Sequence, residues 1–178
     1  TGLGTTGLDV RQVFMTFGNK DIGTFMFGRN FGLFGFDAII NDMTIPGVGV
    51  AGAAAGASPA NTSLGSIGYG YIYSDTLAQM NYTTPDLGGL KLTIGIYDPI
   101  EPLNAFTGGG AAPAADSSPG FHGKAAFTAG ALYLSASFLS QTNDGPGEFD
   151  TMAFDVGGKF SAGPLEVLAW FYDGEGVG

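Results

Sequence analysis

The sequence predicts an all-β fold, and three observations favour a transmembrane antiparallel β-barrel over a soluble β-sandwich. Hydrophobic residues make up 44% of the chain and charged residues only 12%, about half the charged share of soluble domains. No window approaches the ~20 consecutive apolar residues of a membrane-spanning helix. Strand-like segments recur along the chain, and the connections between them alternate between short and long. Short turns at one end and long loops at the other are typical of a barrel in an outer membrane.

Eight segments alternate apolar and polar residues with the period of a β-strand. They are residues 10–17, 24–30, 73–84, 90–98, 121–128, 131–140, 151–160 and 165–173. The short connections are 18–23, 85–89, 129–130 and 161–164, and the long ones are 31–72, 99–120 and 141–150. Compact domains rarely contain loops beyond ~12–15 residues unless the loops are functional or disordered. We therefore expect 31–72 to be functional and to need space, which a wide barrel provides.

The middle strands separate their apolar and polar side chains onto opposite faces. In the seventh segment, for example, the apolar residues Met152, Phe154, Val156 and Phe160 lie opposite Asp155 and Lys159. A shift of one residue would turn these charges towards lipid, so the register is strongly specified. In the last segment Glu166 shares its face with Trp170, and the sequence does not assign that face to lipid or to water.

Composition excludes several classes of function. The net charge of −10, with only six basic residues, argues against nucleic acid, whose phosphates require Lys and Arg. The absence of cysteine excludes disulfide scaffolds and thiolate metal sites. Residues 143–150 contain three carboxylates but lack the ligand spacing of an EF-hand. We expect neither a metal nor a cofactor, since no phosphate-binding glycine loop or hydride-transfer fingerprint is present.

Several segments between Arg11 and Pro99 follow a pattern that can be compared with known families. They read Arg11-Gln-Val-Phe-Met-Thr-Phe, Asp21-Ile-Gly-Thr-Phe-Met-Phe-Gly-Arg-Asn-Phe-Gly, Phe36-Asp-Ala, Asp42-Met-Thr-Ile-Pro-Gly and Asn81-Tyr-Thr-Thr-Pro-Asp-Leu-Gly-Gly-Leu. This pattern resembles the general diffusion porins of Gram-negative outer membranes. The resemblance implies a barrel of about 16 strands, usually trimeric and embedded in outer-membrane lipid and lipopolysaccharide. Its third extracellular loop would fold inward and narrow a water-filled channel for small hydrophilic solutes and ions.

On this resemblance, residues 1–178 form one partial β-barrel domain that corresponds roughly to strands four to eleven, with 31–72 as the constriction loop. We accordingly expect the chain to be part of a longer polypeptide. The alternative is a complete eight-stranded outer-membrane barrel with a structural or adhesive role. Barrels of that size fill their interior with side chains, so the long loop would then lie outside.

The resemblance also implies which residues line the constriction. Arg11 matches a wall arginine, and Asp42 matches a loop carboxylate that faces it. Asp37 matches a second loop aspartate, which either faces the pore or caps backbone amides within the loop. Two positions depart from the family, because Gly47 stands where an acid is usual and Asp75 where an arginine is favoured. With the net charge of −10, these departures predict a lumen that favours cations.

Five further charged residues receive weaker assignments. The resemblance places Arg29 at the subunit contact of a homotrimer, and the alternative is an arginine that extends to lipid headgroups. Parity within the strands puts Lys91, Lys124, Asp155 and Lys159 on the polar face, as secondary pore-lining candidates.

An outer-membrane phospholipase is the enzymatic alternative for such a barrel. It needs a Ser–His pair with an orienting Asn or acid at its lipid-facing surface. The only histidine, His122, falls on the polar face opposite Phe121 and Phe127, and no serine lies near it in a recognisable motif. We therefore expect no enzymatic activity.

Overall fold

The computed structural model describes residues 10–41, 76–99, 118–143 and 149–175. These residues form eight strands and one short helix, α1 (Phe36–Ile40), which follows the second strand. The strands are β1 (Val13–Asn19), β2 (Gly23–Phe31), β3 (Thr76–Thr83), β4 (Leu90–Tyr97), β5 (Gly120–Ala129), β6 (Leu132–Asn143), β7 (Phe149–Ala162) and β8 (Leu165–Glu175).

All eight strands belong to one antiparallel sheet in which each strand pairs with its neighbours in sequence. Short turns join β1 to β2, β3 to β4, β5 to β6 and β7 to β8 at one end of the sheet. The predicted all-β antiparallel fold is therefore confirmed. Strands β1 and β8 form the edges, and no pairing between them closes the sheet within the described residues.

The strands lie where the alternation predicts them, but several have different ends. Strand β7 runs from Phe149 to Ala162, beyond both ends of the predicted segment, because backbone pairing continues past the residues whose side chains alternate. Helix α1 was not predicted, since its five residues are too few for helical periodicity to register. In the described part of the chain, no helix is long and apolar enough to cross a membrane.

In a soluble protein the apolar face of a sheet is buried and the polar face is exposed, and this sheet shows the reverse. On one face large apolar side chains are open, such as Met152 at 68% and Phe154 at 47% exposed. On the other face polar side chains are buried, such as Thr151 at 1% and Asp155 at 4%. We call these the apolar face and the polar face. This arrangement fits a sheet whose apolar face meets lipid rather than water.

The register also shows which side chains of β8 lie on the polar face, a question that the sequence leaves open. Lys159 pairs with Leu168 and Gly157 with Trp170, and directly paired residues share a face. Trp170 therefore lies on the polar face, packed so closely over Gly157 that an added Cβ would stand 2.2 Å from the indole ring.

The buried apolar residues of the described chain gather on the polar face, where the segment around α1 contacts the strands. Phe34, just before the helix, packs with Leu77, Tyr97, Leu139 and Ala153 from four different strands. This small core places the chain that follows β2 on the polar face, and it positions the site described next.

Candidate functional site: a clamp on the polar face

The segment Leu33–Asn41, here called the α1 segment, leaves the end of β2 and turns onto the polar face. Gly35 precedes the helix with φ of 73°, a left-handed conformation that glycine adopts without steric cost. The helix is closed by backbone bonds from Ile39 N–H to the Gly35 carbonyl and from Asn41 N–H to the Asp37 carbonyl. The turn at Gly35 aims the helix at strands β5, β6 and β7.

The first contact with these strands is made by Asp37, whose residue is only 4% exposed. Its Oδ1 lies 2.6 Å from Lys124 Nζ on β5, and its Oδ2 accepts a hydrogen bond of 2.7 Å from the Tyr133 hydroxyl on β6. The Lys124 ammonium also lies 5.8 Å from the centre of the Phe36 ring. Both carboxylate oxygens are therefore occupied, and removing a partner would leave a buried charge uncompensated.

The second contact uses Asp155 of β7, which is also buried. Its Oδ2 accepts a hydrogen bond of 2.7 Å from the Gly35 N–H, and the Ser137 hydroxyl of β6 donates to the same oxygen. Hydrogen bonds to a charged acceptor are stronger than neutral ones. Asp155 thus fixes the residue at which the chain changes direction.

The third contact is made by His122 of β5, which is fully buried. Its Nδ1 accepts a hydrogen bond of 3.3 Å from the Leu33 N–H, so the ring is neutral with its proton on Nε2. The imidazole stacks on Tyr97 of β4 with ring centres 4.1 Å apart. Asn81 Nδ2 donates to the Tyr97 hydroxyl at 3.3 Å, which supports the stack from β3.

These three contacts form what we call the clamp. It consists of Asp37 with Lys124 and Tyr133, Gly35 with Asp155 and Ser137, and Leu33 with His122. Each contact holds a different point of the α1 segment, so together they fix both its position and its orientation on the polar face. No group of three or more His, Cys, Asp or Glu side chains in the described residues is placed to hold a metal ion.

A family model described as Gram-negative porin matches residues 1–176. The chain belongs to the Gram-negative porin family. This confirms the resemblance found in the sequence, and it identifies an outer-membrane porin. A comparison with curated protein sequences finds no match.

The porin's predicted site residues separate into those that the structure brings together and those that it keeps apart. Asp37, Lys124 and Asp155 meet in the clamp. Lys159 lies elsewhere on the polar face, near the β7–β8 turn, where its Nζ is 3.6 Å from Glu166 Oε2. Lys91 is exposed and lines a cavity between β1–β5 and the α1 segment.

The remaining predicted residues lie near the ends of strands or outside the described part. The Arg11 guanidinium, just before β1, lies 5.7 Å from the centre of the Phe31 ring. Arg29 is exposed, shares the apolar face with Phe27 by parity, and donates from Nη2 to Thr76 Oγ1 at 3.3 Å. Asp42, Asp75 and the predicted loop from 42 to 72 are outside the described residues.

Three clamp residues were not singled out from the sequence as partners of the loop: His122, Tyr133 and Ser137. Strand parity does place all three on the polar face, and the register confirms that placement. Parity carries no information about a segment about 90 residues earlier in the chain. The sequence therefore predicts the face on which these residues lie, but it does not predict their contact with the α1 segment.

Proposed function

We propose that this porin forms a water-filled channel for passive diffusion of small hydrophilic solutes and ions. In this proposal the α1 segment begins the constriction loop, which folds inward from the wall and narrows the pore. The clamp is the main support for this inward-folded loop, because three separate contacts hold the α1 segment on the polar face.

The polar face is the lumen side of the barrel in this account, and the apolar face meets lipid. The edges β1 and β8 then pair with further strands, because unpaired backbone groups in lipid cost several kcal/mol each. A barrel of about 16 strands satisfies both edges and leaves room inside for the α1 segment. Residues 1–178 would accordingly be a partial β-barrel domain with 31–72 as its constriction loop.

Charged residues divide between two tasks in this account. Asp37, Lys124 and Asp155 position the loop, since Asp37 and Lys124 form a largely buried ion pair and the buried Asp155 accepts hydrogen bonds from Gly35 and Ser137. The field across the pore is set instead by Asp42 and by Arg11 on the facing wall. With Gly47 in place of an acid and Asp75 in place of an arginine, and with a net charge of −10, the channel prefers cations.

The channel assembles as a homotrimer, and its outer surface contacts outer-membrane lipid and lipopolysaccharide. Arg29 contributes to the subunit contact, because an exposed guanidinium on an apolar face gains most from a neighbouring subunit's acid. Replacing Arg29 with Ala is expected to lower the temperature at which trimers dissociate on a semi-native gel. An unchanged dissociation temperature would assign Arg29 to lipid headgroups instead.

Conductance in a planar lipid bilayer tests the proposed function directly. Detergent-extracted protein is expected to produce stepwise increases in current, and heat-denatured protein is the control. In a KCl gradient the reversal potential should have the sign of a cation-selective channel. An absence of steps would overturn the channel proposal, whereas steps with an anion-selective reversal potential would overturn only the assigned selectivity.

A further inference from the structure

The polar face of β8 carries a strip of apolar and aromatic side chains that the clamp does not use. Leu168, Trp170 and Tyr172 alternate along this strand, and we call them the β8 ledge. The ledge lies on the polar face because its partners on β7 include Lys159 and Asp155. Tyr172 is 37% exposed, and the other two residues are partly exposed. Unlike the small apolar core on the same face, which is buried, the ledge is open on the side that the proposed function assigns to water.

The orientation of the Trp170 indole leaves one of its two faces open. A Cβ added at Gly157 would lie almost equally close to three consecutive ring atoms, Cγ, Cδ2 and Cε2. Such a point lies over the face of the ring, so the indole is flat against the Gly157 backbone. The edge that carries Nε1 is buried. The exposed surface of Trp170 therefore belongs to its six-membered ring and to the face directed away from the wall.

The charges beside the ledge offset one another or are buried. Lys159 stands diagonally from Trp170 across the β7–β8 pairing, about 7–8 Å away, which a long side chain can span. Its Nζ lies 3.6 Å from Glu166 Oε2, so the two charges compensate, and the ammonium can still donate a hydrogen bond to a solute oxygen. Asp155, on the other diagonal, is buried and accepts from the α1 segment. The ledge therefore suits an uncharged solute better than an ion.

We propose that the β8 ledge is a contact site for neutral sugars, with the C–H face of a sugar ring stacked on the Trp170 indole. A sugar ring has apolar C–H groups on its face and hydroxyl groups around its edge, so it matches a flat indole with a polar neighbour. Hydroxyl groups at the edge reach the Lys159 ammonium. The next ring of a linear oligosaccharide reaches Leu168 or Tyr172, each about 7 Å along the strand from Trp170. The proposal rests on the proposed function, because it assigns a solute class to the lumen of that channel.

Block of the single-channel current by maltotriose tests this site, with a polyethylene glycol of similar mass as the control for volume exclusion. In the native porin the block by maltotriose is expected to saturate, while the effect of the glycol rises linearly with concentration. Trp170→Leu keeps an apolar side chain on Gly157 but removes the flat ring, and it should raise the half-blocking maltotriose concentration about tenfold. Trp170→Phe keeps an aromatic ring and should retain most of the native affinity. The matched control is Phe171→Leu, because Phe171 is the adjacent aromatic residue on the apolar face and is 60% exposed.

Tryptophan emission gives a second measurement that needs no variant, because Trp170 is the only tryptophan in the sequence. Maltotriose is expected to change the emission of the native porin with a half-saturating concentration equal to the half-blocking one. Unchanged emission at concentrations that block the current would overturn the proposal, because the sugar would then bind away from Trp170.

Failure of the channel and failure of the sugar site give different results. Absence of current steps would overturn the channel itself. Current steps with a maltotriose effect as linear as that of the glycol would overturn the sugar site alone. The site would also be overturned if Trp170→Leu and Trp170→Phe had the same half-blocking concentration, or if Phe171→Leu raised it as much as Trp170→Leu does.

Discussion

Two regions of the polar face use their polar side chains in different ways. On β5 and β7, Lys124 and Asp155 are largely buried and hold the α1 segment through Asp37 and Gly35. On β1–β4 amide and hydroxyl side chains line a cavity. Among the described residues that line this cavity, the charged residue contributed by β1–β4 is the exposed Lys91. A charge on the polar face is therefore not by itself a pore charge. Burial and partners separate positioning residues from residues that can meet a solute.

The largest effect is expected when Lys124 is replaced by methionine. Asp37 would then remain buried with only the Tyr133 hydroxyl as partner, and breaking a buried ion pair in this way costs about 3–5 kcal/mol. The α1 segment should leave its position, so single-channel conductance should increase and fluctuate. The matched control is Lys159→Met, because that ion pair is partly exposed and such pairs contribute about 0–1 kcal/mol. Equal currents in the two variants would contradict the clamp.

A lysine in place of Val156 tests the assignment of the apolar face. Val156 is 47% exposed, and a lysine facing lipid near the middle of the membrane costs about 2–4 kcal/mol. We expect the variant to unfold at a lower denaturant concentration in lipid vesicles. The matched control is Ala126→Lys, since Ala126 lines the cavity on the polar face and a lysine there should have little effect on folding. If Ala126→Lys were instead the less stable variant, the assignment of the two faces to lipid and to the lumen would have to be reversed.

A smaller effect is expected for Gly35→Ala. Gly35 has φ of 73°, and a left-handed conformation costs an alanine about 1–2 kcal/mol. Gly88→Ala is the matched control, because Gly88 has φ of 76° but lies in a short turn with open space around its Cα. Both variants should lose similar stability in thermal unfolding, and only Gly35→Ala should alter single-channel current. Identical currents in both would mean that the turn at Gly35 does not position the loop.

The sequence predicted the strands well because strand periodicity is local. The eight segments, the polar placement of Asp155 and Lys159, and the position of Phe121 and Phe127 opposite His122 all follow from alternation. Strand β8 could not be oriented, since Glu166 shares a face with Trp170, and only pairing with β7 resolves it.

The clamp could be predicted only in part. Asp37, Lys124 and Asp155 were candidates, but their partnership was not foreseen, because Gly35 and Asp155 are 120 residues apart in the chain. Such contacts depend on how the sheet curves and on where β2 ends, and neither has a local sequence signal. For example, the local sequence around Asp37 does not distinguish a charge that faces the pore from one that anchors the loop to the barrel wall.

The central claim is that the α1 segment lies in the water-filled passage of the channel. The chain contains no cysteine, so a single Ile40→Cys variant gives a unique target on α1, where Ile40 is 59% exposed. We expect a charged, water-soluble thiol reagent to reduce the single-channel current of this variant, while Val156→Cys on the apolar face gives no change. Complete modification of Cys at position 40 without any change in current would contradict the account.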